Sequence, residues 1–353
     1  MAKREILGLT LPELQEELVA LGLKKFRAEQ VFRWLYEKSA VDFEQMSNLS
    51  KDNRQLLAEH YKIMTRQVKP IKEYRSQDGL THKELLELED GATVETVLMH
   101  HDYGYSACLS SQMGCAMNCA FCASGLHGFV RNLTAAEILA QLYYFQSQLQ
   151  ESGERVSRVV IMGSGEPMLN LDNVLRALDL LHSDRGQCIG YRNMTISTCG
   201  IVPGIEEMTR QGRNINLAIS LHAASKALRD QLMPVNHRYP YPEVIRAAEA
   251  YEKSNGRQVM YEYILLAGLN DRPEDAQALA DALEHKECVI NLIPANPVPE
   301  KGFRRPDDRA VDRFFQILKK RHINVTVRRE MGKDINAACG QLRASALKEA
   351  QKK

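Results

Sequence analysis

The sequence predicts an α/β protein: a partial (β/α)6 TIM-like barrel behind a small N-terminal helical unit and a β-hairpin extension. Three observations carry that expectation. From residue 105 onward, short apolar runs alternate with amphipathic stretches, the signature of successive β/α units and a parallel sheet. Residues 1–80 show helical periodicity instead, and residues 82–100 alternate in period two about Asp90-Gly91. The expected boundaries are therefore 1–80 for the helical unit, 81–104 for the hairpin linker, 105–335 for the core and 336–353 for a C-terminal segment.

Each element follows in order. In LPELQEELVALGL, Leu11, Leu14, Leu18 and Leu21 recur at helical spacing; AEQVFRWLYEK repeats the pattern with Val31, Trp34 and Leu35; Ser50 before KDNRQLL reads as the cap of a third helix. Candidate core strands are 107–110, 159–162, 194–197, 215–220, 259–265 and 289–293. The helical stretches between them are AAEILAQLYYFQ, LDNVLRALDLLH, VPGIEEMTRQG, PYPEVIRAAEAYEKS and PEDAQALADALEH. In such folds the chemistry gathers past the C-terminal ends of the strands. CAMNCAFC follows the first strand, GSGEP the second, STCG the third, LHA the fourth and Pro-Ala-Asn the sixth.

Composition sets the class. The chain has 353 residues, 44% of them hydrophobic and 26% charged, the balance of a folded globular protein. That length suits one large or two ordinary domains, since single cores stop growing near ~250–300 residues. No apolar run approaches the ~20 residues a membrane span requires. The start, MAKREILGLTLPEL, has no apolar core followed by a small-residue cleavage site, so a cytoplasmic protein is expected. There, eight cysteines point to metal or redox chemistry before structural disulfides. A net charge of +1 gives no global sign of nucleic-acid binding. Basic residues nevertheless cluster at Lys24-Lys25, Arg27, Arg33, Arg304-Arg305, Lys319-Lys320-Arg321, Arg328-Arg329 and Lys352-Lys353, where solvated faces are the ordinary explanation.

Cys115, Cys119 and Cys122 form a CxxxCxxC motif. A structural zinc site takes four ligands, and no CxxC pair elsewhere completes this one, although a distant fourth ligand stays open. A four-iron cluster is usually held by four thiolates; three leave one iron with an open position, as in a catalytic site. CxxxCxxC after the first barrel strand resembles the radical S-adenosylmethionine (SAM) superfamily, which implies one 4Fe-4S cluster on these three thiols and SAM chelated at the open iron. GSGEP supports the same reading: its glycines admit close backbone approach, and the Glu166 carboxylate suits an ammonium. By that resemblance Gly165, Glu166, Ser197, Ser220, Leu221, His222 and Asn296 contact the cofactor. Taken singly, they read equally as turns, helix caps and satisfied polar core groups.

The resemblance narrows with SACLSSQMGCAMNCAFCASGLHGFVRNLTAAEI, VIMGSGEPMLN, NMTISTCGIVP, AISLHA, LMPVNHRYP, NLIPANPVPEKGF and VTVRREMGKDINAACGQLRA, together with FRAEQVFRWLYEK and VETVLMHH. These segments, running from the first helix to Ala344, are similar to the RlmN family of adenine-C2 RNA methyltransferases. Membership implies 23S rRNA (adenosine 2503) and certain tRNAs (adenosine 37) as substrates, two SAM molecules per methylation, an electron donor such as flavodoxin, no membrane and a monomer. It also implies a covalent route. Adenine C2, flanked by two ring nitrogens, is too electron-poor to attack a methyl sulfonium, whereas a radical can add there. Matching motifs make Cys339 the methyl carrier, Cys108 the thiol that resolves the adduct as a disulfide, and Glu95 the acceptor of the C2 proton. Without the match, Cys339 reads as a small buried residue and Glu95 as a surface one. Cys188, Cys199 and Cys288 match no role and are expected to be structural. Two readings compete: a sister branch methylates the same rRNA adenine at C8 with the same cysteine set, and a non-catalytic iron-sulfur protein would need only the cluster. The fuller N-terminal segment and GEP at 165–167 favour the C2 branch, and Cys108 with Cys339 disfavour the carrier.

Overall fold

The structure, a computed structural model, describes residues 3–296, 298–328, 331–337 and 340–342. Three helices lead: α1 (Leu11–Ala20), α2 (Phe26–Tyr36) and α3 (Lys51–His60). Helix α1 starts at a capping box in which Thr10 and Glu13 satisfy each other's backbone N–H groups, and Ser50 caps α3 by accepting from Asn53 N. Leu14, Leu18, Val31 and Leu35 face inward, as the periodicity requires.

Four antiparallel strands follow: β1 (Lys69–Arg75), β2 (Thr81–Glu87), β3 (Thr93–His101) and β4 (Gly104–Cys108). From β4 the chain winds through α4 (Ala135–Leu149), β5 (Val156–Ile161), α5 (Leu171–His182), β6 (Met194–Thr198), α6 (Val202–Gln211) and β7 (Asn216–Ser220). It continues through α7 (Lys226–Leu232), α8 (Tyr241–Asn255), β8 (Val259–Leu265), α9 (Pro273–Leu283), β9 (Cys288–Pro294), α10 (Asp308–Lys320) and β10 (Asn324–Val327). All ten strands form one sheet, in the order β10-β9-β8-β7-β6-β5-β4-β3-β2-β1, parallel from β4 to β10.

This is the expected partial barrel, with three differences. Residues 69–75 are a strand, not part of the helical unit, and β2 and β3 belong to the barrel's own sheet because β3 pairs directly with β4. A seventh parallel strand, β10, pairs with β9. Its four residues, NVTV, are too short to carry a period.

One continuous apolar core joins the barrel to the N-terminal helices. Buried polar contacts fix that junction: the Tyr36 hydroxyl accepts from Gly8 N and donates to the Leu9 carbonyl, both at 2.8 Å, while Arg176 Nε on α5 donates to Gly8 O at 2.7 Å. No helix among the described residues is long and apolar enough to cross a membrane.

Candidate active site

Past Cys108 the chain makes a closed excursion. Gln112–Gly114 pairs antiparallel with Phe129–Asn132, and Cys115 N donates to Gly128 O at 3.1 Å, so the loop holding the three cysteines is pinned at its neck. Gly114 has φ +69°, and a Cβ there would sit 1.8 Å from the Gly128 carbonyl oxygen; no other residue fits. Cys115, Cys119 and Cys122 are half-buried and line one cavity of about 140 Å³. Burial pushes the Cys115 thiol up to about 12, and it raises Cys119 further, so loading a metal exchanges protons for iron. Among the described residues, only Glu73, His82 and Glu84 bring three such ligand atoms all within 4.8 Å of one another. The three thiols are thus spread wider than a single zinc ion would draw them, and they fit the larger cluster.

Opposite the thiols, the cavity wall comes from the ends of β5 to β9. Glu166 is 3% exposed, and its two oxygens accept from Met168 N (3.0 Å) and Cys199 N (2.8 Å). Burial raises its carboxyl, against the lowering effect of the Cys199 backbone bond. Gly165, at φ +107°, leaves no space for a Cβ, which would lie 2.6 Å from Gln112 Cβ. Gly165→Ala is therefore expected to cost about 1–3 kcal/mol of stability from backbone strain alone and to weaken SAM binding, checked by thermal denaturation and by isothermal titration with SAM.

The remaining candidates divide by position. Ser197, Ser220 and His222 line the same cavity. His222 has φ +59°, and its Nδ1 accepts from Ile264 N at 3.0 Å, which puts the ring proton on Nε2. Burial first, then the Arg229 charge, pull the imidazole down to about 3, so it is neutral. Leu221 sends its side chain into the apolar core, so only its backbone faces function. Asn296 lines the neighbouring barrel lumen, and its buried Oδ1 has no partner among the described residues. That orphaned acceptor, with the thiols and Glu166, fits a bound polar cofactor.

The lumen, of about 750 Å³, shares Met162 and Ile293 with the thiol cavity, so the two adjoin. Cys108 lines it and packs in a small cluster with Val97 and Leu342, against which Ala337 also rests. Cys339 lies outside the described residues, as do Arg329 and Lys352-Lys353. Its sequence neighbours are placed: Gly340 lines the thiol cavity, with its carbonyl accepting from Ala123 N at 2.8 Å, and the Leu342 carbonyl accepts from Ser124 Oγ at 2.9 Å. Ala337 and residues 340–342 thus reach over the barrel mouth, and Leu342 meets Cys108.

Glu95 is buried, 3% exposed, not a surface residue. Val97 pairs with Cys108 across the β3–β4 ladder, and alternation places Glu95 on the same face one step along. Diagonal neighbours of this kind lie about 7–8 Å apart. Lys83, 4% exposed, donates to Glu95 Oε1 at 3.2 Å and to the Asn336 carbonyl at 3.1 Å, tying the carboxylate to the C-terminal segment.

Sequence reasoning missed Lys83 and also Glu262, which lines the thiol cavity from β8 and meets Ser197 Oγ (3.2 Å) and Arg328 Nη1 (3.4 Å). One acid inside the apolar run VMYEYILL was the available signal. Cys199, expected to be only structural, lines the same cavity. Cys288 is buried on β9, and Cys188 is exposed.

Comparison with known proteins agrees with this geometry. The profile of the ribosomal RNA large subunit methyltransferase N-terminal domain matches residues 4–63, and that of the radical SAM superfamily matches residues 109–280. A probable dual-specificity RNA methyltransferase RlmN from Geobacillus thermodenitrificans is 48% identical over 98% of this chain and 94% of its own. A protein of the same description from Bacillus subtilis is 48% identical over 96% and 93%. The crystal structure of a radical SAM methyltransferase from Sphaerobacter thermophilus, 42% identical, covers 97% of this chain and 100% of its own with a TM-score of 0.94.

Proposed function

The chain belongs to the RlmN family of radical SAM RNA methyltransferases, and from that premise we propose how its residues divide the work of methylating adenine C2 in 23S rRNA and tRNA. The observation that carries the proposal is the meeting of Cys108, the chain end and the thiol cavity at one barrel mouth. Cys115, Cys119 and Cys122 would hold the 4Fe-4S cluster, while Glu166, Ser197, Ser220, Asn296 and the backbone at Gly165, Leu221 and His222 would hold SAM. When bound, these groups supply the methyl carbon and the radical chemistry that joins it to an electron-poor ring position.

Cys339 carries that carbon on its sulfur, in a segment held by Lys83 and by the loop after Cys122. The lumen beside Cys108 receives the target adenine, with Val97, Met99 and Met162 excluding water. Glu95 takes the C2 proton from the face it shares with Cys108, and the single electron that radical addition leaves on the ring would return to the iron-sulfur site, so that a closed-shell adduct remains. Cys108 then resolves the adduct: its Sγ bonds to the Cys339 sulfur as the bond from that sulfur to the methylene breaks. The electron pair passes to the methyladenine carbon, which takes a proton, and the two thiols leave as a disulfide that a dithiol reductant must reopen.

Residues 1–80 are assigned to gripping RNA. Lys24 and Lys25 are exposed beside Phe26 in sequence, itself 51% exposed with the Arg27 guanidinium over its ring, and Arg33 is exposed farther along the same helix. Such aromatic and basic interleaving suits stacked bases and phosphates. A monomer in the cytoplasm, reduced by a one-electron protein donor such as flavodoxin, completes the proposal. The test is mass spectrometry of nucleosides from 23S rRNA and tRNA after anaerobic reaction. 2-Methyladenosine is expected; 8-methyladenosine would assign the C8 chemistry, and neither product would overturn the function.

A further inference from the structure

Arg229, on α7, is completely removed from solvent and heads the fully buried side chains by size. Its Nε donates to the Leu221 carbonyl (3.0 Å), Nη1 to Asn236 Oδ1 (2.8 Å) and Nη2 to the Cys199 carbonyl (2.7 Å), with longer contacts to the Tyr239 and Ser220 carbonyls. All five acceptors are neutral. Asp230, the acid next in sequence, is engaged with Lys226, Asn236 and His237 and reaches Arg229 through Asn236. A buried cation is costly unless an opposite charge compensates it. Five hydrogen bonds account for the fork shape of the guanidinium, not for its charge.

Asp230 acts on Arg229 without touching it and is already committed to Lys226 and His237; the remaining charge lies across the cavity wall. Cys199 and Ser220, whose carbonyls Arg229 holds, line the cavity of the three cysteines. Ala120, inside the CxxxCxxC loop, donates its N–H to Leu232 O on α7 at 2.9 Å. Cys199 and Cys119, as well as Asp230, are close enough to act electrostatically on Arg229.

We propose that Arg229 is the counter-charge of the iron-sulfur site: its guanidinium offsets the negative charge brought by the thiolates and raises the potential at which the cluster accepts an electron. The inference rests on the cluster assignment above. One-electron reduction adds a further negative charge, and a fixed cation nearby favours the reduced form over the oxidised one. Arg229 touches neither substrate nor iron, so it acts as a positioning residue for charge.

The test uses the full chain, anaerobically reconstituted, titrated with dithionite and redox mediators and followed by electron paramagnetic resonance. Arg229→Gln is expected to load iron but to show a reduced-to-oxidised ratio about tenfold lower at a given potential, a shift of about 59 mV for a one-electron couple. Arg229→Lys keeps the charge while losing the fork, and it should retain most of the wild-type potential. Loaded Arg229→Gln with an unchanged potential, or equal shifts in both variants, would make Arg229 a hydrogen-bonding knot alone. Should Arg229→Gln fail to fold, Asn236→Asp sets a carboxylate against the guanidinium without removing Arg229, and it must lower the potential in the same sense; an unchanged potential there also overturns the proposal. Absence of any cluster signal from the unaltered chain would instead overturn the cluster assignment.

Discussion

Cys108→Ala is expected to end its first turnover covalently joined to RNA. The substitution leaves the cavity and Glu95 in place but removes the sulfur proposed to attack Cys339. Addition to adenine therefore proceeds, and release does not. The product is a chain linked to RNA through one methylene at Cys339, stable to denaturation and trimmed by RNase to a single nucleotide. Denaturing gels should show accumulation approaching about one RNA per loaded chain, with methylated RNA falling by on the order of 10³-fold or more, the scale of losing a group that acts only in the reacting complex. Peptide mass mapping locates the link. Cys339→Ala must fail earlier, with no methyl on protein or RNA and no covalent complex. A link at Cys108 would reverse the two roles, and free methylated RNA at normal rates from Cys108→Ala would remove the need for a resolving thiol.

The second large effect concerns the three thiols of the loop. Replacing Cys115, Cys119 or Cys122 singly by Ala should abolish iron loading and all methyl transfer, because on the proposed assignment each would supply one of three attachments and no other described cysteine except Cys199 lines the cavity. Iron analysis and absorbance of the reconstituted protein check this directly. Circular dichroism should stay near wild type, since the loop is pinned by backbone bonds at Cys115, Ala120 and Ala123 that alanine preserves. A triple variant that retained cluster and turnover would remove the assignment altogether.

Much of this architecture was legible because parallel strands buried on both faces write themselves as apolar runs, and their helices repeat at 3.6 residues. β1 was not legible. KPIKEYR is an edge strand, exposed along almost its whole length and interrupted by Pro70 with a bulge before Lys72, so it carries the charges that blunt a sheet edge rather than a hydrophobic alternation. The site divides similarly. The CxxxCxxC and GSGEP motifs are local and could be read in sequence, whereas the burial of Glu95, its ion pair with Lys83 and the approach of the chain end to Cys108 are made by strand pairing and by contacts more than 200 residues apart. Arg229 carries no mark in sequence, since nothing in ALRDQL distinguishes it from a solvated cation.

The hydrogen bonds from Ala123 and Ser124 to the Gly340 and Leu342 carbonyls have a thermodynamic consequence. Those donors directly follow Cys122, so the loop proposed to receive iron is also the hook that holds residues 340–342. Two equilibria sharing an element are reciprocally linked: whatever free energy the docked chain end contributes to iron binding, iron binding returns to docking in equal measure. Maturation and readiness are thereby one transition. On the proposed assignment of Cys339, a chain without iron would forgo that contribution to the docking of its methyl-carrying segment, which would disfavour presenting a reactive sulfur before the chemistry that uses it is in place.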